Sequence, residues 1–163
     1  MPALLGLRRK PGAIALTVLR FMPKLYRIGL GRLFGRSFVL LTHKGRKSGK
    51  TYRTALKVVE YDRSTGEVVV FSMYGGKSDW MRNIVAAPAV QIEIGGRRFR
   101  PSQRFLTEDE RVAAALRFRQ HHPVQFRLFS VVFGWGRLAS KEAMRAFVKD
   151  RPFVAFRPIA DGA

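Results

Sequence analysis

The middle of the chain is written in short apolar runs separated by glycine-bearing turns. Phe38 to Thr42 (FVLLT) is a compact apolar run of the kind that forms a buried strand. It ends at Lys44-Gly45-Arg46-Lys47-Ser48-Gly49-Lys50, a turn signal with two glycines. Thr51 to Tyr61 resumes strand composition, Asp62 to Gly66 is a polar turn, and Glu67 to Tyr74 brings three consecutive valines that favour a pleated surface. Strand, tight turn, strand, turn, strand predicts an antiparallel meander. Gly75-Gly76-Lys77-Ser78 interrupts it, and Ser78 or Asp79 can cap a short helix over 79–87 that Pro88 stops. Ala89 to Ile94 alternates apolar and polar positions as a half-buried strand does, and Gly95-Gly96 turns the chain into a basic strand, Arg97 to Leu106.

Beyond that point the rhythm becomes helical. Thr107 with Glu110 forms a capping-box signature ahead of a helix running to about Gln120. Phe126 to Phe133 is strongly apolar, Ser140 to Lys149 reads as another helix, and Phe153 to Phe156 supplies a last strand. Five to six strands with one inserted helix and several flanking ones predict an α+β fold, a small antiparallel barrel with peripheral helices. The chain reads as one domain: a basic amphipathic segment over 1–37, barrel strands with the inserted helix over 38–106, and helices with the last strand over 107–163.

The first segment is unusual. Leu4 to Phe34 mixes aliphatic and aromatic residues with Arg8, Arg9, Lys10, Arg20, Lys24, Arg27 and Arg32. Leu16, Leu19 and Arg20 suggest a short helix ending at Pro23, and Tyr26, Leu30, Leu33 and Phe34 suggest one face of a second. The apolar stretch Gly12 to Met22 is too short to span a bilayer, and its end at Met22-Pro23-Lys24 fits a secretory cleavage site poorly. The expected location is cytoplasmic. The segment reads either as a helix packed on the domain or as an amphipathic helix resting on an anionic membrane surface through residues 4–36.

Charge sharpens this. The chain holds 31 Lys and Arg against 11 Asp and Glu, a formal net charge of +20. Residues 1–59 hold 14 of those basic residues and no acidic one. Such a surface favours polyanions: nucleic acid, an anionic leaflet, or a multiply charged cofactor. The chain has no cysteine, which excludes disulfides, thiolate metal sites and thiol nucleophiles; the three histidines have no local metal-ligand spacing, so no metal is expected. No nucleic-acid-binding motif accompanies the charge, so nucleic acid is a poor fit despite the interspersed Phe and Trp.

Two constellations can carry chemistry. In the turn Gly45 to Lys50, glycines allow backbone N–H groups to line a concave anion site, Arg46, Lys47 and Ser48 add donors, and Arg53 on the outgoing strand can reach the same anion. The eight-residue nucleotide P-loop pattern is absent. The second is Met73-Tyr74-Gly75-Gly76-Lys77-Ser78-Asp79-Trp80 with Asn83, where Trp80 and Asn83 share a helix face and can meet one ligand. The alternative for each is plain structure: a solvated basic hairpin, a core tryptophan, a helix-surface asparagine. Tyr74 or Ser72 can donate a proton or a hydrogen bond to a reduced acceptor, against a simpler role in strand packing.

Leu40-Leu41-Thr42, Gly45-Arg46-Lys47-Ser48-Gly49 and Arg53-Thr54-Ala55-Leu56, followed by Gly75-Gly76, Trp80, Asn83, Ala86 and Pro88, resemble the two blocks of the deazaflavin-dependent nitroreductase and quinone reductase family over about residues 38–100. The resemblance implies a split β-barrel like that of flavin-mononucleotide-binding proteins and use of coenzyme F-420, whose phosphate and polyglutamate tail are polyanionic; flavin mononucleotide is the lesser expectation. It implies that Arg46, Lys47, Ser48, Gly49 and Arg53 hold the phosphate and tail, that Thr54, Ala55 and Leu56 run beside the ring system, and that Met73, Tyr74, Gly75 and Gly76 form the wall, with Trp80 and Asn83 closing the pocket. Ala55 stands where a proline is usual. In place of a tyrosine-rich substrate wall the C-terminal part carries His121, His122, Phe126, Phe129, Phe133 and Trp135. His121 and His122 read more simply as helix-end residues beside Pro123. The function implied by the resemblance is hydride transfer from reduced F-420 to an electron-poor apolar acceptor such as a quinone, nitro compound or enone. Its rival is a non-catalytic lipid- or tetrapyrrole-binding module of the same fold at a membrane surface. An oligomer is compatible with either.

Overall fold

A computed structural model describes residues 20–21, 23–72, 75–136 and 138–160, without the side chains of Phe34, Val132 and Phe133. Seven antiparallel strands form a single sheet: β1 (Phe38–Lys44), β2 (Thr51–Tyr61), β3 (Val68–Phe71), β4 (Gln91–Ile94), β5 (Arg97–Phe99), β6 (Pro101–Phe105) and β7 (Phe153–Pro158). Their order is β5-β4-β1-β2-β3-β7-β6. The two outermost strands, β5 and β6, are therefore consecutive in sequence and separated by Arg100 alone, so the sheet curls into a nearly closed barrel. The long basic strand expected over 97–106 is really two strands. Arg97 to Phe99 pairs with β4, while Pro101 to Phe105 pairs with β7. Pro101 lacks the N–H that a continuous ladder would use, and the Arg100 carbonyl accepts instead from the Ile159 N–H (3.0 Å). This corner accounts for a seventh strand where the pattern suggested five or six.

Period-two alternation builds two cores. Val39, Leu41, Val58, Val68, Val70, Val154 and Phe156 point into the barrel, where they meet Trp80, Met81 and Ile84 of helix α1 (Asp79–Ala86). The alternate residues Val69, Phe71, Phe153 and Ala155 point outward to a second core under helices α2 (Glu108–His121), α3 (Pro123–Phe133) and α4 (Lys141–Lys149). β3 is buried along its whole length because both of its faces are covered. The register shift between Val58 and Glu60 turns Val59 to the helical side.

The capping box is formed as expected: Thr107 Oγ1 accepts from the Glu110 N–H, and the Glu110 carboxylate accepts from the Thr107 N–H at 2.8 Å. Ser140 caps α4 in the same way through the Ala143 N–H at 3.0 Å. Ser78 stands at the N-cap of α1, but its hydroxyl does not cap; it bonds the Gly75 carbonyl and the Ser72 hydroxyl.

The N-terminal expectations need correction. Residues 23–27 are helical, so Pro23 lies inside a helical turn rather than ending one; Leu16 and Leu19 lie outside the described residues, as does everything before Arg20. Gly29, at φ 82, separates this turn from a short 3-10 helix, Leu30–Phe34. Tyr26, Leu30 and Leu33 do not form a common buried face. Tyr26 is buried and its hydroxyl donates to the Phe38 carbonyl (3.0 Å), whereas Leu33 is 78% exposed. The C-terminal aromatic residues build a core. Phe126 and Trp135 belong to the second core, and Trp135 packs on Phe71, Phe129 and Phe147.

Candidate functional site

A cavity of about 810 Å³ opens between the β1–β2 turn, the first half of β2 and the start of α1. That volume falls within the range of small-molecule sites. One end is basic and polar: Arg46, Lys47, Ser48 and Arg53 line it. The other is apolar: Ala55, Leu56, Phe71 and Trp80 line it, with Trp80 only 8% exposed. Thr54 and Asn83 lie between.

The turn is tied down more tightly than a hairpin needs. The Gly45 N–H donates to the Lys50 carbonyl and the Gly49 N–H to the Gly45 carbonyl, both at 2.8 Å. Gly45 itself is required by close approach, because a Cβ there would stand 2.7 Å from both the Ser48 hydroxyl and the Tyr52 ring. The Arg46 N–H donates to Asn83 Oδ1 (3.1 Å), and the Lys50 N–H reaches the Ser48 hydroxyl (3.3 Å). The expected row of free N–H groups is therefore mostly consumed. Those of Lys47 and Ser48 take no protein partner among the described residues, so the anion-binding capacity of this turn lies chiefly in its side chains.

Asn83 organises the site. It is buried, at 4% exposed. Its Oδ1 accepts twice from Arg46, from the backbone N–H and from Nη1 at 3.0 Å. Two donors at one atom fix the amide orientation, so Nδ2 faces His43 Nδ1 at 3.1 Å and must donate to it. His43 is then a neutral Nε2–H tautomer, and Nε2 donates to Thr54 Oγ1 at 3.0 Å. Burial lowers the His43 pKa, against a smaller opposing pull from Asp79, which agrees with the neutral form that the network demands. With its oxygen occupied by His43, the Thr54 hydroxyl keeps its proton for a ligand in the cavity. Asn83 ties Arg46 on one side to His43 on the other, and through His43 to Thr54; one Nδ2 hydrogen goes to His43. Arg46 is also held by Asp79 Oδ1 at 3.1 Å, so part of its charge is already answered. Lys47 and Arg53 form no ion pair among the described residues.

The remaining expected residues that are described do not line the cavity. Gly49 shapes the turn, at φ 66. Gly75 and Gly76 are not part of the wall. Gly75, at φ 74, lies against the Asp150 carbonyl, and Gly76 lies near Pro152. Ser72 is fully buried; its hydroxyl contacts the Gly75 carbonyl and Ser78 Oγ, which ties the end of β3 to α1 and leaves it no access to an acceptor. Met73 and Tyr74 lie outside the described residues. Five cavity residues were not foreseen: Arg20, Pro23, His43, Tyr52 and Phe71. His43 lies opposite Tyr52 in the β1–β2 ladder, two register positions from Thr54 and on the same face, so pairing the two predicted strands would have brought it into view. Arg20 reaches the cavity by a tertiary contact that no local pattern encodes. Among the described residues no group of three or more His, Asp or Glu is placed to hold a metal ion.

Residues 20–126 match the family described as F-420H(2)-dependent quinone reductase. The chain belongs to that family. Coenzyme F-420 is the cofactor of this quinone reductase family member, and the cavity fits it in kind: Lys47 and Arg53, without an ion pair among the described residues, suit a polyanionic tail, and the apolar lining of Ala55, Leu56, Phe71 and Trp80 suits a flat ring system. No curated protein matches the chain. Among solved structures, one described as a domain-swapped dimer is similar at 20% identity over 88% of this chain and 99% of that one, with a TM-score of 0.52, a likeness of fold. A structure described as an F-420-H2 dependent reductase aligns at 23% identity over 75% of this chain and 95% of that one, TM-score 0.49. A pyridoxamine 5'-phosphate oxidase-related, FMN binding protein from Nostoc punctiforme aligns at 16% identity over 96% and 82%, TM-score 0.49.

Proposed function

We propose that this family member transfers a hydride from reduced F-420 to an electron-poor apolar acceptor, with a quinone the first choice because that is the acceptor in the family's description. The observation that carries the reading is the two-ended cavity, basic at the β1–β2 turn and apolar at Leu56, Phe71 and Trp80. The bound cofactor supplies the hydride chemistry; the protein's task is to bind, orient and keep water away. Lys47 and Arg53 take the tail and phosphate, with the Ser48 hydroxyl beside them. Arg46 holds the turn at the cavity mouth through Asn83 and Asp79. The Thr54 hydroxyl donates to a polar edge of the ring system. Ala55 and Leu56 flank one side of it, and Trp80 excludes water. Tyr74 keeps the role of hydrogen-bond donor to the reduced acceptor, while Ser72 is withdrawn from it.

The test is a fluorescence titration of the protein with F-420, with F-420 lacking its glutamate tail, and with flavin mononucleotide, followed by an acceptor screen with quinones, nitro compounds and enones. Tight F-420 binding that weakens without the tail, and weakens again in Lys47→Ala/Arg53→Ala, supports the assignment. Failure of all three cofactors to bind refutes it.

Two partner readings belong with this proposal. Ile28 and Leu33 are 70% and 78% exposed on a segment that also carries Lys24, Arg27 and Arg32, which supports peripheral contact of residues 4–36 with an anionic membrane. Vesicle flotation with and without anionic lipid tests it. No helix among the described residues is long and apolar enough to cross a membrane. The structural relative described as a domain-swapped dimer supports an oligomer, which light scattering on the purified chain decides.

A further inference from the structure

A second cavity, of about 540 Å³, lies on the other side of β2, between that strand and the corner where α2 meets α3. Its floor is Lys57, which is only 3% exposed. The Lys57 ammonium donates one hydrogen bond, to the Ser37 carbonyl at 3.1 Å, and otherwise sits between the rings of Phe38 and Phe118 at 5.1 and 5.5 Å. No carboxylate pairs with it among the described residues. The acids of the cavity are already engaged: Glu60 accepts two bonds from Arg117, and Asp62 Oδ1 caps its own turn through Ser64 and Thr65. A buried ammonium with donors unspent and no counter-charge is costly unless something answers it. Arg63 at the same cavity also forms no ion pair among the described residues. A second buried group is unmet as well: Gln125 Oε1, on the α3 side, accepts no hydrogen bond among the described residues.

We propose that this cavity is a second ligand site, separate from the F-420 site, that takes a small organic carboxylate with an aromatic or otherwise apolar body. The carboxylate accepts from Lys57 in a charge-assisted bond. The body packs against Phe118 and Tyr61, and a hydroxyl on it has a waiting acceptor in Gln125. Burial holds the Lys57 pKa down at about 8, and a bound carboxylate raises it again. Adjacent positions of one strand thus serve different ligands, because Leu56 faces the first cavity and Lys57 the second.

The experiment is calorimetric titration of the full chain with 4-hydroxybenzoate, and with phenol, which has the ring and hydroxyl but no carboxylate. Saturable binding of 4-hydroxybenzoate, weaker binding of phenol, and a loss of at least about tenfold in 4-hydroxybenzoate affinity in Lys57→Met support the proposal, the loss matching one charge-assisted hydrogen bond. F-420 affinity within about twofold of wild type shows that the variant is folded. Should the variant fail to fold, the unmutated protein decides: the Lys57 Cε resonance, followed by NMR through a pH titration, must titrate at higher pH with 4-hydroxybenzoate bound than without. Absence of saturable binding, equal affinity in Lys57→Met, or a Lys57 titration indifferent to the ligand each overturns the proposal.

Discussion

Replacing Asn83 by alanine removes one side chain and strands three partners. His43 Nδ1 loses its donor inside a residue that is 3% exposed, and an unsatisfied buried acceptor costs about 1–3 kcal/mol. The Arg46 N–H loses its acceptor, worth about 1 kcal/mol where water cannot fully replace it. The Arg46 guanidinium retains Asp79 and solvent, so its share is small. Asn83→Ala is therefore expected to lose about 2–4 kcal/mol, which for a chain of 163 residues lowers the melting temperature by about 5–15 °C. Urea unfolding followed by circular dichroism measures it, with an unchanged slope showing that stability alone has moved. F-420 affinity should fall at least tenfold, because the turn that carries Lys47 is released from α1.

The companion substitution Asn83→Asp separates this network from generic packing. In the wild type His43 is held neutral, with its pKa below the ordinary histidine value. The unfolded chain binds the proton more readily, so stability is complete above about pH 6.5 and is lost as pH falls toward the lowered folded value. An aspartate at the same position faces His43 Nδ1 with a carboxylate and favours the imidazolium. Its stabilisation is then complete below about pH 6.5 and is lost as pH rises through the raised folded value. The two proteins should show slopes of opposite sign, the wild type gaining stability as pH rises toward about 6.5 and Asn83→Asp losing it as pH rises above that value. A loss under about 0.5 kcal/mol in Asn83→Ala, or parallel pH slopes for wild type and Asn83→Asp, would refute the reasoning.

Gly75→Ala should cost at least about 2 kcal/mol, from the left-handed backbone and from a Cβ placed 2.7 Å from the Asp150 carbonyl; thermal unfolding checks it, and a neutral result would mean that the turn before α1 is softer than drawn. Lys57→Met should stabilise the chain at pH 7 by about 1–3 kcal/mol, since it removes an uncompensated buried charge while the Ser37 carbonyl keeps the Val58 N–H at 3.0 Å. In the wild type the lowered Lys57 pKa makes stability rise as pH climbs from about 8 toward the ordinary lysine value of 10.5, and denaturation curves of Lys57→Met should lack that rise.

Legibility in the sequence tracks locality. The strands 38–42 and 51–61, the helix after Thr107 and the helix after Ser140 are fixed by nearest-neighbour rules of alternation and capping, and they stand where those rules put them. The break at Arg100 was not legible. Arg97 to Leu106 has the composition of one strand, and only the demand that the two sheet edges meet divides it at Pro101. Among the site residues, Arg46, Lys47, Ser48, Arg53, Thr54, Ala55, Leu56, Trp80 and Asn83 do line one cavity. The Gly75-Gly76 pair is harder to read: a glycine pair announces backbone freedom without saying whether a ligand or a neighbouring carbonyl uses the space. At Gly75 it is the Asp150 carbonyl.

The histidine and the lysine show the same limit from the other side. His43 sits in an apolar run and Lys57 in a β-strand, and neither carries a motif. Each becomes informative only through the groups that strand pairing and helix docking place around it. Alternation along β2 supplies the rest of the argument. Because successive side chains of a strand leave on opposite faces, a strand buried on both sides cannot put a polar residue anywhere without committing it to one layer. Thr54 and Leu56 go to the layer that α1 closes over the F-420 cavity, whereas Lys57 goes to the layer that α2 and α3 close. Arg53 leaves β2 on the same face as Lys57 but, four residues nearer the β1–β2 turn, still lines the first cavity, so position along the strand as well as face gives Lys57 to the second. If the Lys57 charge serves a ligand, that ligand is a different molecule from the cofactor, so F-420 titrations should be blind to Lys57→Met while carboxylate titrations are not.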